Sequence, residues 1–96
     1  MDVPISHRHV LFYEYVKENV VERRAPYREE HLGLIREWMA DGIVLAGGAL
    51  GNPPHGAAIV FDSDDPSPAE EFASLDPYVR SGLVTSWRVE PWNVVS

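Results

Sequence analysis

A histidine and an aspartate in this chain form the pair best suited to proton transfer near neutral pH. His31 lies in a stretch whose apolar residues recur at helical spacing, and Asp76 begins a segment, residues 76–83, that is stiffened by Pro77. A carboxylate that accepts a hydrogen bond from one imidazole nitrogen fixes the tautomer and leaves the other nitrogen free as a base. If folding joins the two side chains, the sequence provides the components of general acid–base catalysis.

The helix that is expected to carry His31 also carries arginines. On one helix, four residues would fall on a line at spacings i, i+4, i+7 and i+11, namely Arg24, Arg28, His31 and Ile35. Arg24 belongs to this line only if the helix starts early. Arg28, one turn before His31, is a candidate to hold a phenolate, an enolate or a carboxylate by charge-assisted hydrogen bonds. Its alternative role is a surface ion pair with a neighbouring glutamate, which would contribute little.

Each of these residues also has a purely structural interpretation. His31 can be a histidine at the edge of the core that bonds a backbone carbonyl, and Asp76 can order its turn through its own backbone. The aromatic side chains of Tyr13, Tyr15 and Tyr78 can line a pocket or belong to the core. Two hypotheses therefore stay open: a small-molecule enzyme, and a non-catalytic binding or interaction module in which the His–Asp pair is structural.

Metal and cofactor sites find little support in the sequence. His7 and His9 would alternate onto one face of a strand, but no third ligand is evident nearby. The acidic run at residues 62–65 lacks the pattern of a calcium-binding loop. The glycines at residues 47–51 are not followed by the helix that a phosphate-binding loop requires. We therefore expect neither a resident metal nor a cofactor.

Composition and charge limit the partners of the chain. Its 96 residues carry a formal net charge of −7, so that nucleic acid and anionic membranes are unfavourable partners. The absence of cysteine excludes a disulfide framework and fits a reducing compartment. The first residues lack the features of a signal peptide, and no stretch approaches the roughly 20 apolar residues of a membrane helix. These features predict a cytoplasmic protein.

The pattern of apolar and breaker residues predicts one domain, residues 1–96, with four strands and two helices. Strands are expected at residues 8–16, 43–50, 57–61 and 84–90, and helices at residues 27–40 and 68–75. Pro26 would lie in the first turn of the first helix, where its missing N–H costs nothing. Met39 is expected on the core-facing stripe of that helix. Gly47 and Gly48 indicate a bulge or a close backbone approach in the second strand.

The element order β-α-β-β-α-β is that of a ferredoxin-like fold. This α+β fold has a four-stranded antiparallel sheet with two helices on one face. In a monomer the other face would meet water and would carry alternating polar residues. Instead, Leu11 and Tyr13 alternate with Val10 and Phe12, so both faces look buried. We therefore expect a second copy to cover the open face in a two-fold homodimer.

Four segments of the chain resemble the YCII family (YciI-like proteins): residues 28–32, 41–48, 76–83 and 90–92. The most specific of them is an Asp-Pro-aromatic motif that ends in Gly-Leu, followed by the R-x-x-H-L motif of the helix. The resemblance implies ferredoxin-like subunits that form a dimeric α/β barrel. It also implies a pocket lined by a His–Asp dyad at the positions of His31 and Asp76, with an arginine at Arg28.

The resemblance says less about the reaction. Most members of the family have no assigned activity, and one branch acts on chlorinated hydroxyquinones as a dehydrochlorinase. We therefore expect cofactor-free acid–base chemistry, of lyase, isomerase or hydrolase type, on a small aromatic or carbonyl substrate. Tyr13, Gly47, Gly48 and Tyr78 are, with Arg28, the expected substrate contacts. The two glycines stand where many relatives have Gly-Pro, which is expected to reshape the rim of the pocket at the second strand.

Overall fold

The computed structural model describes residues 3–96 of the chain. This part contains the strands β1 (Ile5–Tyr15), β2 (Val44–Leu50), β3 (Gly56–Phe61) and β4 (Val84–Val95), and the helices α1 (Val20–Ala40), α2 (Ser67–Leu75) and α3 (Pro77–Arg80). The expectation of no signal peptide rests in part on Met1 and Asp2, which lie outside the described residues. None of the helices in residues 3–96 combines the length and the apolar character needed to cross a membrane.

The four strands form one antiparallel sheet in the order β2-β3-β1-β4. Leu11 of β1 pairs with Ile59 on one side and with Val89 on the other, which sets the register at the centre of the sheet. Successive side chains of a strand point to opposite faces. Leu11 and its alternating neighbours Tyr13 and Tyr15 therefore share a face, and they belong to the buried core together with residues of α1 and α2. The ferredoxin-like α+β fold is confirmed.

The last strand is longer than the sequence predicted. β4 runs to Val95 rather than ending at residue 90, because its final residues continue to pair with the start of β1, as in Ile5 with Val95. Pro91 and Trp92, which lie beyond the predicted end of the strand, are therefore part of the sheet.

The first helix begins earlier than the sequence predicted. α1 starts at Val20, whose side chain is buried, so that Pro26 lies inside the helix rather than in its first turn. The N–H of Arg23 donates to the carbonyl of Asn19 at 2.8 Å, which closes the first turn. Pro26 has no N–H, so the carbonyl of Glu22 lacks its helical donor. Both residues are exposed, and water can satisfy that carbonyl. Burial of Val20 therefore outweighs the helix-breaking tendency of the proline.

Replacing Pro26 by alanine is expected to raise the free energy of unfolding by about 1 to 3 kcal/mol. Proline inside a helix is about 3 kcal/mol less favourable than alanine, while its restriction of the unfolded chain offsets part of that difference. Urea denaturation of the two proteins measures the change. An unchanged or lower value for Pro26→Ala would contradict this account of the helix start.

The core-facing line of α1 runs through His31, Ile35 and Trp38, all of which are buried. The expectation for Met39 was wrong, since this residue is 46% exposed. The positions i, i+4 and i+7 share one face of a helix, so Trp38 rather than its neighbour faces the sheet. Trp38 packs edge-on against Phe72 of α2 with ring centroids 5.3 Å apart. This contact joins the two main helices over the sheet.

The two glycines of β2 do not form the predicted bulge. The irregularity in the pairing of β2 lies between Val44 and Ala46. A Cβ atom on Gly47 would meet only side chains, the nearest being Ile59 at 3.5 Å, and one on Gly48 would meet nothing within 4 Å. A close backbone approach is therefore absent at both positions.

Within residues 3–96, the face of the sheet away from the helices stays partly uncovered. Val10, Phe12, Ala58 and Val60 form an apolar trough of about 410 Å³, which Trp92 helps to close. Trp92 itself is 49% exposed. A single chain therefore leaves an apolar surface in water, as the strand patterns of the sequence indicated.

Candidate active site

Asp76 links two helices and is fully buried. It follows α2 in an extended conformation and caps α3, where its carboxylate accepts a hydrogen bond from the N–H of Tyr78 at 3.0 Å. Pro77 occupies the first position of α3, where the missing N–H is harmless. Asp76 therefore does order a turn, as one interpretation of the sequence held. Its 0% exposure requires that its other lone pairs also find donors within the protein.

Two further donors reach this carboxylate from other elements. Tyr13 of β1 donates its hydroxyl to Oδ2 of Asp76 at 2.7 Å. Nδ1 of His31, on α1, lies 2.9 Å from both carboxylate oxygens. Because a carboxylate only accepts hydrogen bonds, Nδ1 is the donor and the free lone pair of the neutral imidazole lies on Nε2. Folding thus brings together the two side chains that the sequence suggested as a pair.

The ring of Tyr78 holds the imidazole of His31 in place. The two rings are stacked, with 3.8 Å between centroids and 8° between planes. Tyr78 packs in turn edge-on against Tyr15 at 6.1 Å. One short segment therefore both hydrogen-bonds the imidazole, through Asp76, and stacks on it. Every hydrogen bond of the His31 imidazole to residues of the described range uses Nδ1, which leaves Nε2 for a ligand.

A cavity of about 270 Å³ opens beside His31. Its wall includes most of the residues that the sequence suggested for the site, namely Arg28, His31, Gly47, Gly48 and Tyr78. Because the two glycines carry no side chains, β2 contributes a flat section to this wall. The volume is close to the lower end for small-molecule pockets, so the cavity fits a compound with one ring.

Tyr13 and Asp76 are placed behind this wall. Neither residue lines the cavity, and the hydroxyl of Tyr13 bonds the carboxylate of Asp76. The structure therefore places Tyr13 as a support of the aspartate rather than as a contact for a ligand in this cavity.

Arg24 is a cavity residue that is not among the site residues predicted from the sequence. It lines the cavity together with Arg28 and His31 because α1 begins at Val20. The signal for it was present in the helical spacing, but Pro26 argued against so early a start. Because proline usually marks the start of a helix, Pro26 led to a predicted helix that excluded Arg24.

The cavity is positively charged although the chain is acidic. Arg24 and Arg28 line it, whereas no aspartate or glutamate of the described residues does. Neither arginine forms an ion pair within residues 3–96, so the alternative role of Arg28 as a partner of a neighbouring glutamate is not found there. Burial raises the pKa of Tyr78. The guanidinium of Arg28, which lies near enough to donate toward the hydroxyl oxygen, opposes that rise, as do the positive charges of Arg24 and Arg28. Its hydroxyl is therefore a neutral donor near pH 7.

Alkaline pH is expected to destabilise the fold through the buried tyrosines. Burial raises the pKa of Tyr15 from 10.0 to about 12. Burial also raises the pKa of Tyr13, and the negative charge of the neighbouring Asp76 raises it further. The folded state keeps protons that the unfolded chain releases, so this stabilisation is complete below pH 10 and is lost as the pH rises through the folded pKa.

The free energy of unfolding, from urea denaturation at stepped pH, should therefore fall between about pH 10 and about pH 12. The variant Tyr15→Phe should fall less steeply, since it has one phenol fewer to ionise. A flat profile over this range would contradict the burial of these hydroxyls.

The two histidines of β1, His7 and His9, bond different partners and do not form a shared site. Nδ1 of His7 lies 2.9 Å from the side-chain oxygen of Asn93, and Nδ1 of His9 lies 2.9 Å from the carbonyl of Ser63. Within residues 3–96, no three histidine, aspartate or glutamate side chains are grouped as metal ligands would be. That the site works without a cofactor stays a prediction.

Three proteins similar to this chain are informative. An uncharacterized protein of Haemophilus influenzae is 27% identical over 96 residues, covering 91% of this chain and 97% of that protein. The 5-chloro-2-hydroxyhydroquinone dehydrochlorinase of Burkholderia phenoliruptrix, in complex with 2,5-dihydroxybenzoquinone, superposes with a TM-score of 0.72 at 16% identity, over 88% of this chain and 92% of that one. A dimeric ferredoxin-like protein from an uncultured marine organism gives a TM-score of 0.53 at 17% identity, over 97% and 90% of the two chains.

At such low identity the two structural likenesses show a shared fold and no more. The sequence itself is more specific, since the family model of the YCII-related domain matches residues 9–93. That match contains β1 from His9 onwards, both long helices and the whole Asp76 turn. By this match over most of its length, the chain belongs to the YCII-related domain family.

Proposed function

We propose that this protein is a small-molecule enzyme in which His31 transfers protons as a general base and acid, without a cofactor. The observation that carries the proposal is the contact between Nδ1 of His31 and the buried Asp76, beside a cavity that His31 lines. Nε2 would then exchange protons with a ligand in that cavity. In this geometry Asp76 fixes the tautomer of the imidazole and would stabilise the imidazolium that forms when Nε2 takes a proton.

Arg28 has a separate task in this proposal. Removal of a proton from a hydroxyl group, or from a carbon beside a carbonyl, leaves negative charge on an oxygen. A guanidinium at the wall of the cavity stabilises that oxygen as the charge develops. Elimination, isomerisation and hydrolysis all contain such a step, and general acid–base catalysis accelerates it by about 10² to 10⁴.

The substrate class that we propose is a small hydroxylated ring or carbonyl compound. The structural neighbour from Burkholderia phenoliruptrix is a dehydrochlorinase and was solved with a dihydroxybenzoquinone. Removal of HCl requires a proton acceptor and a chloride that leaves with the bonding electron pair. The dyad supplies the acceptor here, and the positive cavity would favour the departing anion.

Deuterium exchange provides a test that does not require the natural substrate. Hydroxyquinones and cyclic diketones are incubated with the protein in D₂O, and the loss of exchangeable carbon-bound protons is followed by NMR. We expect exchange on at least one compound to depend on His31, and 5-chloro-2-hydroxyhydroquinone to release chloride in a parallel assay. Exchange on all compounds at the rate of the His31→Gln variant would contradict the proposal.

One observation favours a non-catalytic alternative. Asp76 accepts hydrogen bonds from three elements, β1, α1 and α3, so the dyad also ties the structure together. If the pair is only structural, His31→Gln should lower stability while small molecules bind as before and no exchange is lost. Loss of exchange in a variant that keeps its melting temperature would instead exclude the structural role as the sole one.

We propose further that the protein is a homodimer through the open face of the sheet. The apolar trough around Phe12 and Val60 is open in residues 3–96 of one chain, and a similar fold from a marine organism is dimeric. Sedimentation at micromolar concentration should show a species of twice the chain mass. Val60→Glu should shift it to the monomer, whereas Leu75→Glu, at an exposed position on α2, should not. A wild-type protein that sediments only as a monomer would contradict the dimer.

A further inference from the structure

We propose that Arg24 and the hydroxyl of Tyr78 form an anion-binding subsite in the cavity beside His31, so that the substrate binds as an oxyanion. The location of the reaction at His31 rests on the proposed function, but the subsite itself rests on separate observations. These are two buried donors without acceptors, a local excess of positive charge, and the arrangement of donors and acceptors around a small cavity.

The first observation concerns the two donors. Within residues 3–96, Nε of Arg24 and the hydroxyl of Tyr78 are buried side-chain atoms that have no hydrogen-bond partner of regular geometry. Arg28 lies near the Tyr78 oxygen, but a guanidinium only donates, so the hydroxyl proton stays without an acceptor. Tyr78 is only 1% exposed, and its ring is held by the stack on His31, so the hydroxyl cannot turn out to solvent. Buried polar groups are almost always satisfied, and an exception calls for an explanation. Acceptor oxygens of a ligand in the cavity would satisfy both donors.

The second observation is the charge of the wall. Arg24 and Arg28 both line the cavity and have no ion-pair partner in the described part of the chain, which contains most of the 15 acidic residues. Unpaired cations beside a cavity favour a ligand with negative charge, because screening is weaker there than at an open surface. Hydrogen bonds to a charged acceptor are also stronger than those to a neutral one.

The third observation is the arrangement of donors and acceptors. Arg24, Arg28 and Tyr78 present donors, Nε2 of His31 presents an acceptor, and the hydroxyl of Tyr15 can act as either. A ligand that matches this arrangement has an ionised oxygen on the arginine side and a transferable proton on the imidazole side. With a volume of about 270 Å³, the cavity admits one six-membered ring with its substituents. The ionised oxygen can belong to a carboxylate or to an enolate of the ring.

Two pairs of probes separate these sources of charge. Calorimetric titration compares benzoate with benzamide, and 2,5-dihydroxybenzoquinone, which is ionised at neutral pH, with its neutral dimethyl ether. We expect the ionised member of at least one pair to bind tenfold or more tightly than its neutral analogue. A preference in the benzoate pair alone identifies a carboxylate ligand, and a preference in the quinone pair alone identifies a ring enolate.

Variants then assign the preference to the two donors. Tyr78→Phe removes only the hydroxyl, and Arg24→Gln removes the charge together with Nε. Each should weaken binding of the anion by about tenfold to a hundredfold, as expected for one hydrogen bond to a charged group, and should leave the neutral analogue unaffected. Arg24→Lys keeps the charge but lacks the Nε donor, so its affinity should lie between those of the wild type and Arg24→Gln.

Arg23→Gln is the matched control, because it makes the same change of charge on the same helix outside the cavity wall. If Arg23→Gln weakens anion binding as much as Arg24→Gln does, a general field explains the effect and the subsite is overturned. Equal affinity for anions and neutral analogues in the wild type also overturns it. Thermal melts confirm that each variant folds; if Tyr78→Phe does not, the comparison of Arg24→Gln with Arg23→Gln decides.

These outcomes are distinct from a failure of the proposed function. His31→Gln should keep the preference for anions even though it loses proton transfer. Anion preference together with exchange that does not depend on His31 would overturn the enzyme proposal alone. His31-dependent exchange on compounds that show no preference for the ionised form would overturn the subsite alone.

Discussion

Replacing His31 by glutamine is expected to lower turnover, or deuterium exchange on a responsive compound, by a factor of about 10² to 10⁴. The imidazole is the group whose Nε2 can accept a proton at the cavity, since Nδ1 is engaged by Asp76. Glutamine is polar, and its amide N–H can take over the hydrogen bond to the carboxylate, so the fold should persist. Initial rates for the two proteins, with their far-UV circular dichroism spectra, measure the effect.

His9→Gln is the matched control for this experiment. Like His31, His9 is buried, with 7% of its surface exposed, but it lies in β1 and bonds the carbonyl of Ser63 away from the cavity. Its replacement should leave the rate within about twofold of the wild type. Similar losses in both variants would mean that histidine removal acts through stability, and an unchanged rate in His31→Gln would end the catalytic assignment.

Replacing Asp76 by alanine is expected to lower the free energy of unfolding by about 3 to 5 kcal/mol, the range for breaking one side of a buried pair. The change leaves three buried donors without an acceptor: the hydroxyl of Tyr13, Nδ1 of His31 and the N–H of Tyr78. It also removes the cap of α3. Domains of this size are stable by about 5 to 15 kcal/mol, so this single substitution takes a large part of the total.

Urea denaturation of the wild type, Asp76→Ala and two controls measures this prediction. Tyr13→Phe removes one of the three donors and should cost about 1 kcal/mol. Asp64→Ala changes the charge as Asp76→Ala does, but at an exposed position, and should stay within about 0.5 kcal/mol of the wild type. A loss below 1 kcal/mol in Asp76→Ala would show that its hydrogen bonds are not formed as described.

The fold was predictable because several independent signals agreed. Alternation in β1, the glycine after α1 and the breaker residues around α2 each delimit an element locally. The order of these elements then leaves few topologies, of which the ferredoxin-like sheet is one. The double-sided apolar pattern of Val10 to Tyr13 was likewise visible in the sequence, and the trough on the open face accounts for it.

The errors arose where tertiary packing overrides a local preference. Pro26 by itself predicts a helix start, but the burial of Val20 extends α1 through the proline. Met39 has the composition of a core residue, yet the angle set by His31 and Ile35 turns it to solvent. Neither effect can be derived from Pro26 or Met39 alone, because both depend on which other residues of α1 are buried against the rest of the protein.

The candidate site was predictable in part for the same reason. The chemistry of His31 and Asp76 and the motifs around them mark both residues in the sequence, and the structure joins them across 45 positions of the chain. The support from Tyr13 and the stack of Tyr78 could not be read from spacing, and the spacing that places Arg24 on the line of His31 was opposed by the signal of Pro26. These features depend on the register of β1 and on the length of α1, which only the folded chain determines.

The most direct test of the account is the protonation pattern of His31 in the wild-type protein, observed in long-range ¹⁵N–¹H NMR spectra of the imidazoles. We predict a proton on Nδ1, hydrogen-bonded to Asp76, and an Nε2 resonance that moves when 2,5-dihydroxybenzoquinone is added. A His31 ring with a bare Nδ1, or an Nε2 resonance that is unaffected at saturating ligand, would contradict the proposed role of the dyad.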